Sequence, residues 1–181
     1  NKIIEAKSTN GDEIKKEKKH VKFGISPFGI WKSGFPSDIS GTSQFDELYA
    51  DPKLWLNEGW CDYFSPQLYW KEEGPQRYSS LLKWWNNENT KNRLLFPGIN
   101  TVGIKNVENK SLEIEKQLKF NRQILKDKGE LHWSVAGITK SPEMQSILLK
   151  NYKEKALTPA YPWLKSINFE KPTLQSKINS T

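Results

Sequence analysis

Two segments of the chain end in residues able to hold a sugar. Val21 to Gly29 reads as one buried strand that runs into Ile30 and Trp31, and Trp60 to Trp70 closes on Ser65, Pro66, Gln67, Leu68, Tyr69 and Trp70. Each begins apolar and finishes in polar, aromatic and proline residues. That is the profile of a parallel strand that enters a core and delivers side chains at its C-terminal end. The first segment offers Ser26, Phe28 and Trp31 there, the second Gln67, Tyr69 and Trp70; two later ones add Gly98 with Asn100, and Trp133 with Ser134. Aromatic faces beside amides and hydroxyls suit a sugar, which presents an apolar C–H face and a rim of hydroxyls. The set is wrong for cradling phosphate.

Each residue also has a structural reading. Phe28 and Trp133 read first as wall or core aromatics, Tyr69 and Trp70 equally as wall or site, and Asn100 as a turn residue. Gln67 stands out, because an amide inside an apolar strand is costly to bury unless something hydrogen-bonds to it.

A pair of carboxylates is missing from these positions. Glycoside hydrolysis uses a general acid with a base or nucleophile, about 5–10 Å apart according to mechanism. Asp62 lies at the start of its strand, and Asp51 reads as a helix cap. Glu72 and Glu73 follow Trp70 closely enough to reach a site, although a loop Glu-Glu pair also reads as simply solvated. Catalytic residues therefore stay unassigned. His20 and His132 have no carboxylate at metal-ligand spacing, so neither a metal nor another cofactor is expected.

Strand patterns at Val21–Ser26, Tyr63–Leu68, Leu94–Gly98 and Glu130–Val135 alternate with helical ones, the signature of a parallel sheet covered by helices. A Gly/Ser/Pro-rich loop, Ser33 to Ser43, follows the first strand and is long enough to be functional. Helices are expected from Asp51-Pro52 toward Gly59, from Tyr78 to Asn89, from Ser111 to Lys128 with Leu112, Ile114, Leu118, Ile124 and Leu125 buried, and from Ser141-Pro142 to Lys155. In the second, Trp84 and Trp85 read as wall packing. A short helix at Asn1 to Ala6 with a turn at Ser8 to Gly11, and a polar tail or linker from Lys165 to Thr181, complete a division into residues 1–20, 21–164 and 165–181.

At 181 residues the chain can bury a core, yet it is shorter than the about 250 residues usual for a complete (β/α)8 barrel. Residue 1 is Asn and no leader pattern follows it, which reads as a chain processed, trimmed or cut from something longer. No apolar run approaches the roughly 20 residues of a membrane span. The single cysteine, Cys61, excludes an intrachain disulfide and reads as a packed thiol. The net charge of +7 fits a polyanion in sign, but the lysines crowd the ends and mix with Glu on helices rather than forming a stripe among aromatics. Nucleic acid is not expected as a partner.

Lys22 to Trp31, Leu48-Tyr49-Ala50-Asp51-Pro52 with Trp55, Gly59-Trp60 with Asp62-Tyr63, and Pro66 to Trp70 resemble, in order and spacing, the bacterial glycosyl-hydrolase-like 10 family. Ala156-Leu157 and Pro162-Trp163-Leu164 resemble its C-terminal end, so the resemblance covers about Val21 to Leu164. It implies an α/β fold of (β/α)8 TIM-barrel type, of which this chain holds the C-terminal half only. It also implies an exported or lipid-anchored bacterial protein of the cell envelope that cleaves a polysaccharide, with peptidoglycan glycan a candidate. The family's Asp-rich strand end belongs to the first half and has no counterpart here. By the resemblance, the catalytic carboxylates sit in a missing N-terminal half, and Ser26, Phe28, Trp31, Gln67, Tyr69 and Trp70 form the sugar-facing wall. The rival reading is a non-catalytic carbohydrate-binding half-barrel. A half-barrel would leave two open strand edges, so marginal stability or self-association is expected of this chain alone.

Overall fold

A computed structural model describes residues 13–104 and 108–163. The expected N-terminal helix at Asn1 to Ala6, the turn after it and the polar tail lie outside those residues. A helical turn, α1, occupies residues 13–17. Then come β1 (Gly24–Ile25), α2 (Gln44–Glu47), α3 (Pro52–Asn57), β2 (Tyr63–Phe64), α4 (Tyr78–Glu88), β3 (Leu94–Leu95), β4 (Gly98–Asn100), α5 (Lys110–Ile124), β5 (Leu131–Trp133), α6 (Val135–Thr139) and α7 (Pro142–Asn151).

Every strand pairing is parallel. Gly24, Tyr63 and Leu94 lie side by side across β1, β2 and β3, and Asn100 lies beside Trp133 across β4 and β5. Phe28, Gln67 and Gly98 continue the rows between them through isolated parallel bridges. The strand lines thus run in sequence order with a helix-bearing crossover between neighbours, an open α/β array compatible with part of a TIM-barrel-like fold.

The ladder breaks at one height for one reason. Pro27, Pro66 and Pro97 occupy the same level of three successive strand lines and have no N–H to give. Their carbonyls still accept, from Gln67 N at 3.0 Å, Gly98 N at 2.8 Å and Leu131 N at 3.1 Å, so the lines stay in register above the break.

Alternation along the strands separates two faces. Phe64, Leu68, Leu95 and Ile99 point to the helices, where they are buried with Leu81, Leu82, Trp85, Ile114 and Leu118 in one core. The opposite face carries Phe28, Gln67, Leu131 and Trp133, and no helix among the described residues covers its end, where Leu131 is 47% and Trp133 62% exposed.

Local rules account for most helix starts. Asp51 caps α3 by accepting from Leu54 N, with Pro52 in the first turn, and Ser141 caps α7 by accepting from Met144 N ahead of Pro142. Four expectations need correction. α5 stops at Ile124 rather than Lys128, because Leu125 turns extended and is buried. Leu112, expected in its buried face, is 57% exposed, because Glu113, Gln117 and Asn121 take the inward positions. α7 ends at Asn151 rather than Lys155. The fourth strand is Leu131–Trp133, and Val135 already belongs to α6, where Gly137 packs so tightly that a Cβ would stand 2.4 Å from the Thr101 carbonyl oxygen.

Candidate functional site

The C-terminal ends of β2 and β4 and the loops after them enclose an open depression of about 630 Å³. Tyr69, Trp70, Glu73, Gln76 and Asn100 line it, with Gly103 at its edge. A second, smaller hollow of about 240 Å³ lies where α4 and α5 end, around Asn86, Asn89 and Asp127, at the opposite end of the strands. The larger one is where a parallel α/β array presents its ligand-facing residues.

Of the eight residues the sequence proposes, Tyr69, Trp70 and Asn100 line the depression directly. Phe28 meets Trp70 edge to face, ring centroids 5.6 Å apart. Gln67 sits in register between Phe28 and Gly98, and its amide nitrogen donates to Ser26 O at 3.3 Å and Ser26 Oγ at 3.4 Å. Those contacts are long, and the Gln67 side chain is only half-buried, so its amide is held without being fully satisfied. The Tyr69 ring lies over Gly98, where a Cβ would come within 3.1 Å of it. Burial pushes the Tyr69 hydroxyl above its ordinary value of 10, so it remains a neutral hydrogen-bond donor. Trp133 stands exposed at the end of β5, beside Asn100.

Two residues sit differently. Asn100 lines the depression but uses its Oδ1 to accept from Val102 N at 3.0 Å and Gly103 N at 2.8 Å, closing a turn. Trp31 is brought to the helix layer: its Nε1 donates to Asp51 Oδ1 at 2.9 Å and its ring stacks on Trp84 at 5.7 Å. Trp85 behaves as wall packing, fully buried and donating to the Gly29 carbonyl at 2.8 Å.

The loop carboxylates have structural partners. Glu72 accepts from Ser79 N at 2.9 Å and Ser79 Oγ at 2.7 Å, capping α4, whose own N-cap residue Arg77 gives no side-chain bond. Glu73 faces the depression but pairs with Lys116 at 2.9 Å, and that hydrogen bond, against slight desolvation, holds its carboxyl below the ordinary value of 4.5. Such a group stays ionised and is poorly suited to donate a proton. Glu73 is the one carboxylate among the described residues that lines the depression.

Sequence reasoning missed what fixes the loop bearing Trp70. Glu113 and Gln117 lie one turn apart on α5 and are buried. Gln117 Nε2 donates to the Trp70 carbonyl at 3.0 Å, and Glu113 Oε1 accepts from Glu72 N at 2.8 Å and from Gln117 at 3.1 Å. Asn121, a further turn on, accepts from the buried Tyr78 hydroxyl at 2.7 Å. The signal was the i, i+4, i+8 spacing of polar residues, which reads equally as a solvated face.

A parallel βα array with an aromatic and amide-lined hollow at its strand ends is an α/β arrangement compatible with part of a TIM-barrel-like fold. Comparison with known proteins narrows the class. The glycosyl hydrolase-like 10 family profile matches residues 3–117, and the chain belongs to that family. The match begins upstream of Val21 and stops within α5. Glycosyl hydrolase YngK of Bacillus subtilis (strain 168) is 35% identical over 175 residues, covering 89% of this chain and 34% of that protein. Glycosyl hydrolase DigH of Escherichia coli (strain K12) is 42% identical over 77 residues, covering 40% of this chain and 18% of that protein. The chain thus spans about a third of the length of YngK.

Proposed function

We propose that this chain forms the C-terminal, glycan-binding half of a (β/α)8 glycoside hydrolase that acts on a cell-envelope polysaccharide, with peptidoglycan glycan the favoured substrate. The observation that carries the reading is the convergence of Phe28, Gln67, Tyr69, Trp70 and Asn100 on the open C-terminal ends of the strands. Phe28, Trp70 and Tyr69 offer apolar faces to a pyranose ring, while Gln67 and the Tyr69 hydroxyl meet its hydroxyls. Ser26 positions the Gln67 amide, and Trp133 extends the wall along β5. Trp31 contributes by fixing the loop after β1 rather than by contact.

In this reading the acid and the base or nucleophile come from the other part of the barrel, which also covers the bare face of Leu131 and Trp133. The protein works outside the cytoplasm, held at the envelope by an anchor beyond this chain. Isolated from its complement, the chain self-associates through that bare face.

Titration with muropeptide-derived glycan fragments tests the reading. Binding that weakens in Trp70→Ala while the far-ultraviolet spectrum is kept supports it; no binding by the intact protein rejects it. The non-catalytic alternative rests on the Glu73–Lys116 pair, which leaves the depression without a protonated carboxyl among the described residues. Reducing-end release from purified sacculi by the full-length protein separates the two, since a pure binding protein releases none.

A further inference from the structure

The loop after β1 is built more rigidly than a connection needs, and it displays apolar rings outward. Residues 32–43 carry their own framework: Gly34 N donates to Ile39 O at 2.8 Å, Phe35 N to Lys32 O at 3.1 Å and Ile39 N to Pro36 O at 3.0 Å, with Ile39 buried beneath. Ser43 and Glu47 close a capping box at the start of α2, Ser43 Oγ accepting from Asp46 N and Glu47 Oε1 from Ser43 N at 2.7 Å. Trp31 is the keystone. Stacked on Trp84 and tied to Asp51, it takes the edges of Phe35 at 5.3 Å and Phe45 at 5.5 Å.

On this base Phe35 is 46%, Phe45 38%, Leu48 56% and Tyr49 86% exposed. Single exposed hydrophobics are ordinary, but here Phe35 and Phe45 share the Trp31 ring as a neighbour and Leu48 and Tyr49 follow α2 directly, so exposed apolar groups concentrate in one stretch of chain, a patch open to a ligand. Tyr49 holds a φ of 50°, an unfavourable setting for a non-glycine residue, while its ring gains almost no burial from the fold. The patch is joined to the depression. Ser40 N donates to the Pro75 carbonyl at 2.9 Å and Gln76 Nε2 to the Ser40 carbonyl at 2.7 Å, so the loop is bolted to the rim formed by Pro75 and Gln76.

We infer that Phe35, Phe45 and Tyr49 form a second glycan-binding platform that takes the continuation of a polysaccharide chain whose other part lies in the depression. The inference rests on the glycan reading of that depression and adds polymer preference to it. Rigid aromatic faces cost little ordering on binding and accept the apolar face of any pyranose. Two contiguous sites on one polymer raise its retention without changing how a short fragment binds the first. Lys32, whose Nζ lies 5.2 Å from the centre of the Phe45 ring and 3.5 Å from Asp46, supplies a polar partner beside the rings.

The test compares insoluble sacculi with soluble fragments of a few sugars, using the full chain, the triple variant Phe35→Ala/Phe45→Ala/Tyr49→Ala and the single variant Tyr49→Ala, whose exposed ring is not needed for folding. Sacculus retention is expected to fall about tenfold in the triple variant and about threefold in Tyr49→Ala, with fragment affinity unchanged in both. Trp70→Ala weakens both ligands. Unchanged sacculus retention in both variants overturns the platform. So does an equal fall for fragments and sacculi, or a wild-type oligomer that the variants convert to monomer, which would make the patch a contact between copies. A wild-type chain that binds neither ligand removes the glycan reading itself, whereas one that binds both but is indifferent to the variants removes only the platform.

Discussion

Asp62 and Gln67 lie five residues apart on one strand line and are treated in opposite ways. At the N-terminal end Asp62 is 4% exposed and fully engaged, accepting from Lys15 Nζ at 2.6 Å, Phe23 N at 2.8 Å and Trp163 Nε1 at 2.8 Å. It fastens the segment before β1 and the segment after α7 to the foot of the sheet. Arg93 supports the same corner, donating to the Gly59 carbonyl at 2.8 Å and lying 4.4 Å from the centre of the Trp163 ring. Buried Cys61 beside it has its thiol pushed up to about 12 by burial, which the charge of Arg93 only partly opposes, so it is an inert packed thiol. At the C-terminal end Gln67 is half-buried, with long contacts to Ser26. A polar group whose partners are all supplied by the fold holds the fold together. One with capacity left over is available to a ligand.

The sharpest way to break this contrast is at its stronger pole. Asp62→Ala leaves Phe23 N and Trp163 Nε1 without their acceptor and Lys15 with the Val21 carbonyl alone, and is expected to cost about 3 kcal/mol of stability in urea unfolding, with glycan affinity unchanged while the chain is folded. The pH dependence carries a defined sign. Burial pushes the Asp62 carboxyl up, but its hydrogen bonds to Lys15, Phe23 and Trp163 outweigh this and hold it below the ordinary 3.8. Its contribution is therefore present above that value and is lost as pH falls through the folded-state pKa. The stability gap between wild type and Asp62→Asn should close on acidification; a gap that is constant with pH would deny Asp62 this role.

Between the poles lies α5, where Glu113 and the Gln117 amide nitrogen are spent on the Trp70 loop while the buried Gln117 Oε1 has no partner among the described residues. Gln117→Leu frees the Trp70 carbonyl and is expected to cost about 1–2 kcal/mol of stability. It should also weaken glycan binding, because the Trp70 loop loses its tether. Loss of stability with unchanged affinity would mean that Glu113 and Gln117 serve the fold alone. Gln67→Ala, at the weaker pole, is expected to change stability by less than about 1 kcal/mol and to lower fragment affinity in calorimetry. A large stability loss there would erase the distinction between the two ends.

Those differences also explain what was legible from sequence. The βα alternation and the Asp51-Pro52 and Ser141-Pro142 starts follow from short-range chemistry, and the structure places them as read. Glu113, Gln117 and Asn121 were opaque, because a polar stripe is solvated unless something distant needs it, and Trp70 O, Glu72 N and Tyr78 supply that need only in the folded chain. Leu112 is turned outward as the consequence. The setting of Trp31 depended on Trp84, and Asp62 could be placed at the foot of its strand but not partnered, since Lys15 and Trp163 stand 47 and 101 residues away.

The smallest expected effect belongs to His132, which combines both conditions in one ring. Its Nε2 lies 3.0 Å from the Tyr152 hydroxyl, and that hydroxyl donates to Glu130 Oε1. Since the tyrosine proton goes to the carboxylate, Nε2 must carry the hydrogen and donate to the Tyr152 oxygen. Nδ1 is then the bare nitrogen, buried and without a hydrogen-bond partner among the described residues. Protonating it would bury an unpaired N–H, and burial, opposed only in part by Glu130, holds the imidazole below its ordinary 6.5. Arg122, lying over the Tyr152 ring, adds a like charge to the same corner. A depressed histidine costs nothing while both states are neutral, and stability drains away as pH falls from the unfolded value through the folded one. Melting curves at about pH 7.5 and about pH 5 should show a shallow loss that His132→Gln reduces, where only the titration of this ring is removed. An equal loss in the variant would assign the slope to groups other than His132.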